Sequence, residues 1–508
     1  MTDVWDPASA SLTIEDLYDV QQQAVKEAKD KPGFAFFMEQ GLGKTRTVLY
    51  EFHDKVLKGL AEVLFIVCPR SLRGAWTDEL AEIGLQYPVV LLVNEKKARE
   101  ALNEIGRQPL VVILHYEQVK THGSAIMKAV LERRRKVYLA LDESVRIKSH
   151  NSVIGELLYF LAHAKDRIVS GKKKVIVDQS SKRSRVAFAR VLSGTPAPQG
   201  AHDLWNQFRF IGAMEGTPYY AWRSLYCRMG GFQGKQILGY QNLDMMRDRT
   251  SEYTFRAKKS DWTDLPEKMW MPPREVALTR DQKLAYTSVL RDFVLEFEEG
   301  DYMTVEMAIT VKNKLQQICS GWVYDNGKQV REIVSPETNP KLQEAMSIIG
   351  DIETKSLAFY FFRPTKNYLD RLAAKTGRGY VFLESGLSDD EFNARKRAFN
   401  EDDDIAWAFC QTDAVKEGHT LLGTSRVPCH NTLFIENTYS QYARAQGEDR
   451  NHRHGQKYPV SYWDIVTSRE DKDIIRALQK KTSIQEAILS EFTAYREKGE
   501  SGLHFGVD

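Results

Sequence analysis

Met38-Glu39-Gln40-Gly41-Leu42-Gly43-Lys44-Thr45 follows a short apolar run, Phe34 to Phe37, and precedes a helix-compatible run from Thr45 to Lys58. Strand, glycine turn, Gly-Lys-Thr and helix, in that order, lay out a cradle for nucleotide phosphates. Glycines such as Gly41 and Gly43, flanking Leu42, let backbone N–H groups close around phosphate oxygens, and a helix N-terminus favours negative charge there. Lys44 is placed to reach the β- and γ-phosphates, and the Thr45 hydroxyl to hold Mg²⁺. Met38 stands where the G-x-x-x-x-G-K-[ST] pattern has its first glycine. Taken alone, the segment also fits a glycine turn that merely caps a helix, so the rest of the chain must decide.

A chain of 508 residues has room for two or more domains, and 42% hydrophobic residues suffice for packed cores. The formal net charge of +2 gives no global basic field, so any nucleic-acid surface must be local. Cys68, Cys227, Cys319, Cys410 and Cys429 show no close pairing, which argues against a zinc site or a disulfide frame and suits a reducing compartment. No stretch reads as a signal peptide, and no apolar run approaches the ~20 residues of a membrane span. The expectation is a cytoplasmic protein with no membrane partner.

Up to about Gly200, short apolar runs alternate with helix-length polar stretches. The predicted strands are Phe34–Phe37, Val63–Val67, Leu110–Leu114, Val137–Leu141 and Val191–Leu192. Such alternation predicts a parallel sheet flanked by helices. From Ala201 to about Glu344 the chain turns aromatic-rich and helical, with few strand signals; Trp205, Trp222, Trp262 and Trp270 are read there as core residues in preference to base-stacking platforms. A second alternating block follows, with runs Leu357–Phe362, Tyr380–Leu383, Ile405–Cys410, Thr432–Ile435 and Val460–Val466. The predicted architecture is α/β: a first lobe over residues 1–200, helical protrusions and a linker over 201–345, a second lobe over 346–490, and a tail from 491 to 508. One basic run stands out (Lys172, Lys173, Lys174, Lys182, Arg183, Arg185), readable as a solvated loop or as a phosphate-contacting one.

Three further constellations bear on chemistry. In Leu139-Ala140-Leu141-Asp142-Glu143-Ser144, an apolar strand ends in two carboxylates. Asp142 would hold the metal from the strand's C-terminal edge, and Glu143 would orient and deprotonate an attacking water. In Leu192-Ser193-Gly194-Thr195-Pro196, small hydroxylated residues beside a glycine can switch hydrogen bonds as a phosphate leaves; alone they are only a turn. In the segment from Gln446 to Gln456, Arg450 and Arg453 stand three apart and are expected on one helix face. Such arginines can stabilise the charge of a phosphoryl-transfer transition state.

At these residues the chain resembles the Swi/Snf-type branch of the superfamily-two helicases and translocases. Leu17-Tyr18-Asp19-Val20-Gln21 is similar to the family's glutamine motif, and Gly41 to Thr45 to motif I. Val67-Cys68-Pro69-Arg70-Ser71-Leu72, with Trp76 and Glu79 after it, resembles motif Ia, and His115-Tyr116-Glu117 the next short motif. Asp142 to Lys148 looks like motif II with an Ile-Lys extension. Ser193 to Pro196, followed by Asp203-Leu204-Trp205, resembles motif III. Asp449-Arg450-x-His452-Arg453-x-Gly455-Gln456 resembles motif VI. The resemblance runs from about Leu17 to Leu489. Two departures matter: Val145 replaces the histidine usual at the end of motif II, and Val415 and Lys416 stand where motif V, here Thr412 to Leu421, usually has glycines.

The resemblance implies two RecA-like lobes with ATP and Mg²⁺ between them. Gln21 would read adenine, with Gly418 and Gln446 also on the nucleotide. Lys44, Thr45, Asp142, Glu143, Arg450 and Arg453 would do the chemistry, and Ser193, Gly194 and Thr195 would couple it to motion. Double-stranded DNA would be gripped through its phosphates by Arg70, Ser71 and Lys148, making the chain a monomeric DNA-stimulated translocase, with room for protein partners. A strand-separating DNA or RNA helicase, or an ATP-gated binding protein with weak turnover, are the alternatives. The bare motor suggests a prokaryotic cell or a phage-infected host.

Overall fold

Each of the ten apolar runs lies in a strand of the computed structural model, apart from the ends at Phe361, Phe362 and Ile435. The structure describes residues 6–91, 96, 100, 108–121, 136–163, 168–170, 173–175, 186–214, 216–231, 236–262, 265–297, 305–324, 329–415, 420–438, 440–453, 455–468, 471–472 and 474–475. The chain divides into two compact units, Met1–Asp264 and Leu265–Asp508. Both are built on parallel sheets, giving two α/β lobes.

The first unit's strands are β1 (Gly33–Met38), β2 (Val63–Cys68), β3 (Val89–Leu91), β4 (Leu110–His115), β5 (Val137–Asp142), β6 (Val186–Leu192) and β7 (Thr254–Ala257). Their order across the sheet is β7-β1-β6-β5-β2-β4-β3, every pairing parallel. Because successive side chains in a strand point to opposite faces, the continuous apolar runs feed two cores at once. Phe34, Phe36 and Met38 join Tyr138, Ala140 and Leu192 on the face covered by α1 (Asp19–Ala28), α2 (Lys44–Leu57) and α3 (Arg73–Glu82). Ala35, Phe37, Leu139, Leu141 and Val191 serve the other face, under α4 (Val153–His163) and α5 (Trp205–Phe210).

One ion pair lies inside this sandwich. Arg190 of β6 donates to both Glu51 carboxylate oxygens, at 3.0 and 2.5 Å, and the Tyr138 hydroxyl donates to the same carboxylate at 2.5 Å. All three side chains are buried. Burial alone would lower the Arg190 pKa, but the Glu51 charge beside it holds it above the usual value.

The second unit carries β8 (Lys268–Trp270), β9 (Arg274–Glu275), β10 (Lys355–Tyr360), β11 (Gly379–Leu383), β12 (Ile405–Gln411), β13 (Cys429–Phe434) and β14 (Val460–Val466). The order is β8-β14-β13-β10-β12-β11, with β9 also on β14, and again every pairing is parallel. Helices α6 (Pro340–Asp351) and α7 (Arg363–Ala373) cover one face, while α8 (Asp389–Glu401) meets the other through Phe399. Glu436, just past β13, accepts from the N–H groups of Phe361 and Phe362 at 2.8 and 2.9 Å and from the hydroxyls of Ser320 and Thr365. A buried carboxylate with four donors is fully satisfied.

The stretch 201–345 holds the expected helices, among them Tyr219–Tyr226, Leu243–Ser251, Arg280–Phe297 and Val305–Cys319. It also holds short strands that the sequence did not announce. β7 extends the first sheet, β8 and β9 extend the second, and two hairpins (Cys227–Gly230 with Gln236–Tyr240, Trp322–Tyr324 with Val330–Glu332) stand apart. At two to five residues each, they are too short to show an alternation; the neighbouring strand, not their own pattern, fixes them. Of the tryptophans expected in cores, Trp205 and Trp222 are buried and Trp262 partly so, but Trp270 is 61% exposed and stacks on Tyr462. It lies on β8, an edge strand with one face open to solvent. In the basic run, Lys173 and Lys174 lie in a short strand paired with Ile168–Ser170; Lys172, Lys182, Arg183 and Arg185 lie outside the described residues, as does the tail 491–508. Among the described residues no helix is long and apolar enough to cross a membrane.

Candidate nucleotide site

The C-terminal ends of β1, β6 and β5 lie side by side, and register aligns Phe36 with Leu192 and Leu192 with Asp142. Three of the predicted motifs leave the sheet at this edge: the glycine turn after β1, Ser193–Pro196 after β6, and Asp142-Glu143 at the end of β5. An open parallel sheet binds ligands along this edge.

The glycine turn is shaped by two left-handed residues, Gly41 (φ 87°) and Gly43 (φ 76°), the second being the N-cap of α2. A side chain at either would be strained, which is the physical reason for glycine there. The Lys44 ammonium donates to the carbonyls of Met38 at 2.9 Å and Glu39 at 3.4 Å, spanning the mouth of the turn. Thr45 occupies the first turn of α2, half-buried. Gln21 is packed on the same turn: its amide donates to the Leu42 carbonyl at 3.2 Å, accepts from the Tyr18 N–H at 3.2 Å, and leaves no room for a Cβ on Gly43. Left-handed glycines, first-turn N–H groups without intrahelical partners and a lysine bridging the turn's carbonyls fit a nucleotide polyphosphate.

Asp142 is fixed from three sides. The Trp76 indole N–H donates to its Oδ2 at 2.9 Å, the Glu143 N–H to its Oδ1 at 3.0 Å, and the Tyr116 hydroxyl to its main-chain oxygen at 2.8 Å. Burial raises the Tyr116 pKa well above its usual value, reinforced by the Asp142 charge, so the phenol stays a donor. Glu143 is buried and adopts φ 51°, ψ 53°, one of two non-glycine residues with positive φ among those described. Such conformations cost on the order of 1–3 kcal/mol and gather at functional sites. A carboxylate held as rigidly as that of Asp142, on the same sheet edge as the glycine turn that leads into Thr45, has the oxygen chemistry that suits Mg²⁺.

Between these two lies the Ser193–Pro196 turn. The Ser193 N–H donates to the Phe36 carbonyl at 3.3 Å, and the Ser193 hydroxyl accepts from the Thr195 N–H at 3.1 Å. Gly194 lies directly on the phosphate turn: a Cβ there would meet Gln40 at 3.2 Å and the Met38 carbonyl at 3.6 Å. On the other side lies α5, inside the stretch expected to be helical; the part its polar side chains play was not foreseen. Its Gln207 bonds to Ser144 and Pro196, and its Asn206 to the carbonyls of Ile147 and Ser149 at 2.7 and 3.0 Å. Asn206 and Gln207, buried among the aromatic residues of a helix beside the site, were the available signal, as was Trp76, whose buried N–H required an acceptor.

In the second unit, the expectation that Arg450 and Arg453 share a helix face is not met. Helix α9 (Gln441–Glu448) ends before both. The His452 ring bonds to the Pro266 carbonyl at 2.8 Å, and the Gln456 amide donates to the carbonyls of Cys429 and Asn451 at 2.9 Å. These bonds fold the chain back onto β13, so the helix is not continued through Arg450 and Arg453. Arg450 is 1% exposed and its Nε donates to the Gln446 carbonyl at 2.6 Å; Arg453 is half-buried. The Gln446 side-chain amide is buried with neither its nitrogen nor its oxygen hydrogen-bonded. The Leu421 N–H donates to the Arg450 carbonyl at 3.0 Å, tying the Thr412–Leu421 segment to the arginine turn. Gly418 lies outside the described residues.

Arg70 and Ser71 are exposed in a short helical turn just after β2. Lys148 is engaged within the chain, donating to Gln199 at 2.7 Å and lying 3.6 Å from the buried Asp203 carboxylate.

The first unit is a parallel-sheet α/β lobe with a glycine turn and an Asp-Glu strand end along one edge, followed by a second parallel-sheet lobe. Residues 20–172 match the SNF2-related domain. The chain is 22% identical over 461 residues to the human SWI/SNF-related matrix-associated actin-dependent regulator of chromatin subfamily A member 1, covering 86% of this chain and 40% of that protein. It is 24% identical to the Caenorhabditis elegans subfamily A-like protein 1 homolog, over 99% of this chain and 65% of that protein. The chain thus spans about 40% of the length of the first curated relatives it matches. A solved structure, the Sulfolobus solfataricus SWI2/SNF2 ATPase core in complex with dsDNA, aligns over 98% of this chain and 97% of that one, with a TM-score of 0.40 and 16% identity.

Proposed function

We propose that the chain hydrolyses ATP with Mg²⁺ and uses the turnover to move along double-stranded DNA. The observation that carries the reading is the shared edge of β1, β6 and β5, which aligns a phosphate turn, a hydroxyl-bearing switch turn and a strained, buried Glu143. Lys44 and the first-turn N–H groups of α2 hold the phosphates; Gln21 braces the turn and borders the base. Thr45 and Asp142 would hold the metal, which neutralises phosphate charge when bound. Glu143 takes the proton of the attacking water. Arg453, with Arg450 behind it and Gln446 beside the nucleotide, stabilises the charge that develops on the transferred phosphoryl group, and Gly418 belongs to the same segment. Arg70 and Ser71 grip DNA phosphates; Lys148 would do so only by leaving Asp203. Such contacts are salt-sensitive and indifferent to sequence.

The test is the steady-state ATPase rate without nucleic acid and with single-stranded DNA, duplex DNA and duplex RNA. Strong stimulation by duplex DNA alone is the expected result. Preference for single strands or RNA would assign the chain to the strand-separating helicases. Nucleotide binding without any stimulation would leave an ATP-gated binding protein, the reading that Val145 favours.

A further inference from the structure

Val145 removes the side chain that, in the resembled family, ends motif II with an imidazole. The structure supplies a different connection between the same two segments. We propose that Gln207 is a positioning residue that links the water-activating segment Asp142–Ser144 to the Ser193–Pro196 turn, and through it to the phosphate turn. This rests on the nucleotide-site reading above.

The Gln207 carboxamide is completely buried, and each of its ends has a distinct partner. Its Oε1 accepts from the Ser144 hydroxyl at 2.7 Å. Its Nε2 donates to the Pro196 carbonyl at 2.7 Å and to the Asp203 carbonyl at 3.0 Å. Two carbonyls can only accept, so the amide has one permitted orientation, and both ends are committed. Ser144 follows the strained Glu143 directly; Pro196 closes the turn in which Gly194 lies so near Met38 and Gln40 that a Cβ there would meet both. The Met38 carbonyl in turn holds the Lys44 ammonium. A bonded and packed path therefore runs Glu143–Ser144–Gln207–Pro196–Gly194–Met38–Lys44, all within the first unit.

The helix carrying Gln207 is itself fastened to motif II. Asn206 bonds to the carbonyls of Ile147 and, just beyond the motif, Ser149, and Trp205 anchors to the Thr217 carbonyl at 2.9 Å. Any displacement of Glu143 as water is activated and phosphate departs must move Ser144. With the amide in place, that movement is passed to Pro196, because stretching either short buried bond leaves an unsatisfied polar group.

Hydrogen exchange in the full chain, with and without Mg·ATPγS, tests this directly. In the wild type, nucleotide should slow exchange in residues 38–45, 142–148 and 193–199. In Gln207→Met, which keeps the length of the side chain but neither polar end, the response at 38–45 and 142–148 should remain and that at 193–199 should vanish. Gln207→Glu should behave likewise, since a carboxylate accepts from Ser144 but cannot donate to Pro196. Kinetically, kcat should fall roughly tenfold or more with KM for ATP changed less than about twofold, the signature of a loss confined to the transition state. Should Gln207→Met fail to fold, Ser144→Ala gives the same readout from the other end of the bond. A variant that responds at 193–199 as the wild type does would overturn the proposal, as would a wild-type turn indifferent to nucleotide. Failure of the nucleotide-site reading looks different: no protection at 38–45 in the wild type.

Discussion

At the scale of single residues, Glu143 is where local stability and chemistry conflict. Its left-handed backbone is a conformation that Asn adopts at lower cost than Glu. Glu143→Asn should raise the stability of the first unit by about 1 kcal/mol, read as a rise of about 2 °C in its unfolding midpoint, while abolishing turnover. Glu143→Gln should keep nucleotide affinity and stop hydrolysis; loss of binding in that variant would place the base elsewhere. Trp76 is the second case. Its indole N–H is the donor that fixes Asp142 Oδ2, and a charged hydrogen bond of this kind contributes about 1.5–3 kcal/mol. Trp76→Phe keeps most of the ring's volume, so it should lower kcat by about tenfold and raise the Mg²⁺ concentration needed for half-maximal rate. An unchanged Mg²⁺ dependence would remove Trp76 from the site.

At the scale of elements, helix α2 matters because its first turn bears Lys44 and Thr45 and its middle bears Glu51. The Glu51 carboxylate bonds to Arg190 of β6 and Tyr138 of β5, so one buried charge fixes the helix to the two strands that end beside the phosphate turn. Glu51→Gln would leave the buried guanidinium without a counter-charge, its acceptors reduced to one amide oxygen and the carbonyls of Pro32, Ala189 and Ala28. Breaking such a pair costs about 3–5 kcal/mol, whereas replacing both partners by apolar groups is often close to neutral. Calorimetry should therefore show Glu51→Gln lowering the first unit's midpoint by roughly 10 °C and the double variant Glu51→Leu/Arg190→Met lowering it far less. Equal losses would mean that the pair acts through packing alone. This element also marks what the sequence could reveal. The glycine turn, the Asp-Glu strand end and the ten apolar runs were legible because each is written in contiguous residues. The Glu51–Arg190 pair was not, since 139 positions separate its partners. Nor were Gln207 and the edge strands β7 to β9, whose roles exist only once the sheet has assembled.

At the scale of the whole molecule, the two units have separate cores, so each should respond to damage by itself, yet the proposed chemistry draws on residues from both. The arginine turn separates these two properties. Arg450 is 1% exposed, its Nε and its main-chain oxygen both hydrogen-bonded within the second unit, so its first duty is structural. Arg450→Ala should lower the second unit's unfolding midpoint. Arg453 is half-buried and follows the end of α9, where a side chain can be withdrawn without opening a core. Arg453→Ala should leave both midpoints and the affinity for ATP nearly unchanged, and depress the DNA-stimulated rate by about 10³-fold or more, the contribution a transition-state arginine makes. The contrast is decisive because both variants lose one positive charge from the same turn. If Arg453→Ala turns over at the wild-type rate, the second unit supplies no catalytic arginine and hydrolysis belongs to residues 1–264 alone. If instead it loses rate only in proportion to a fallen midpoint, Arg453 is a structural residue and the motif VI resemblance overstates its role.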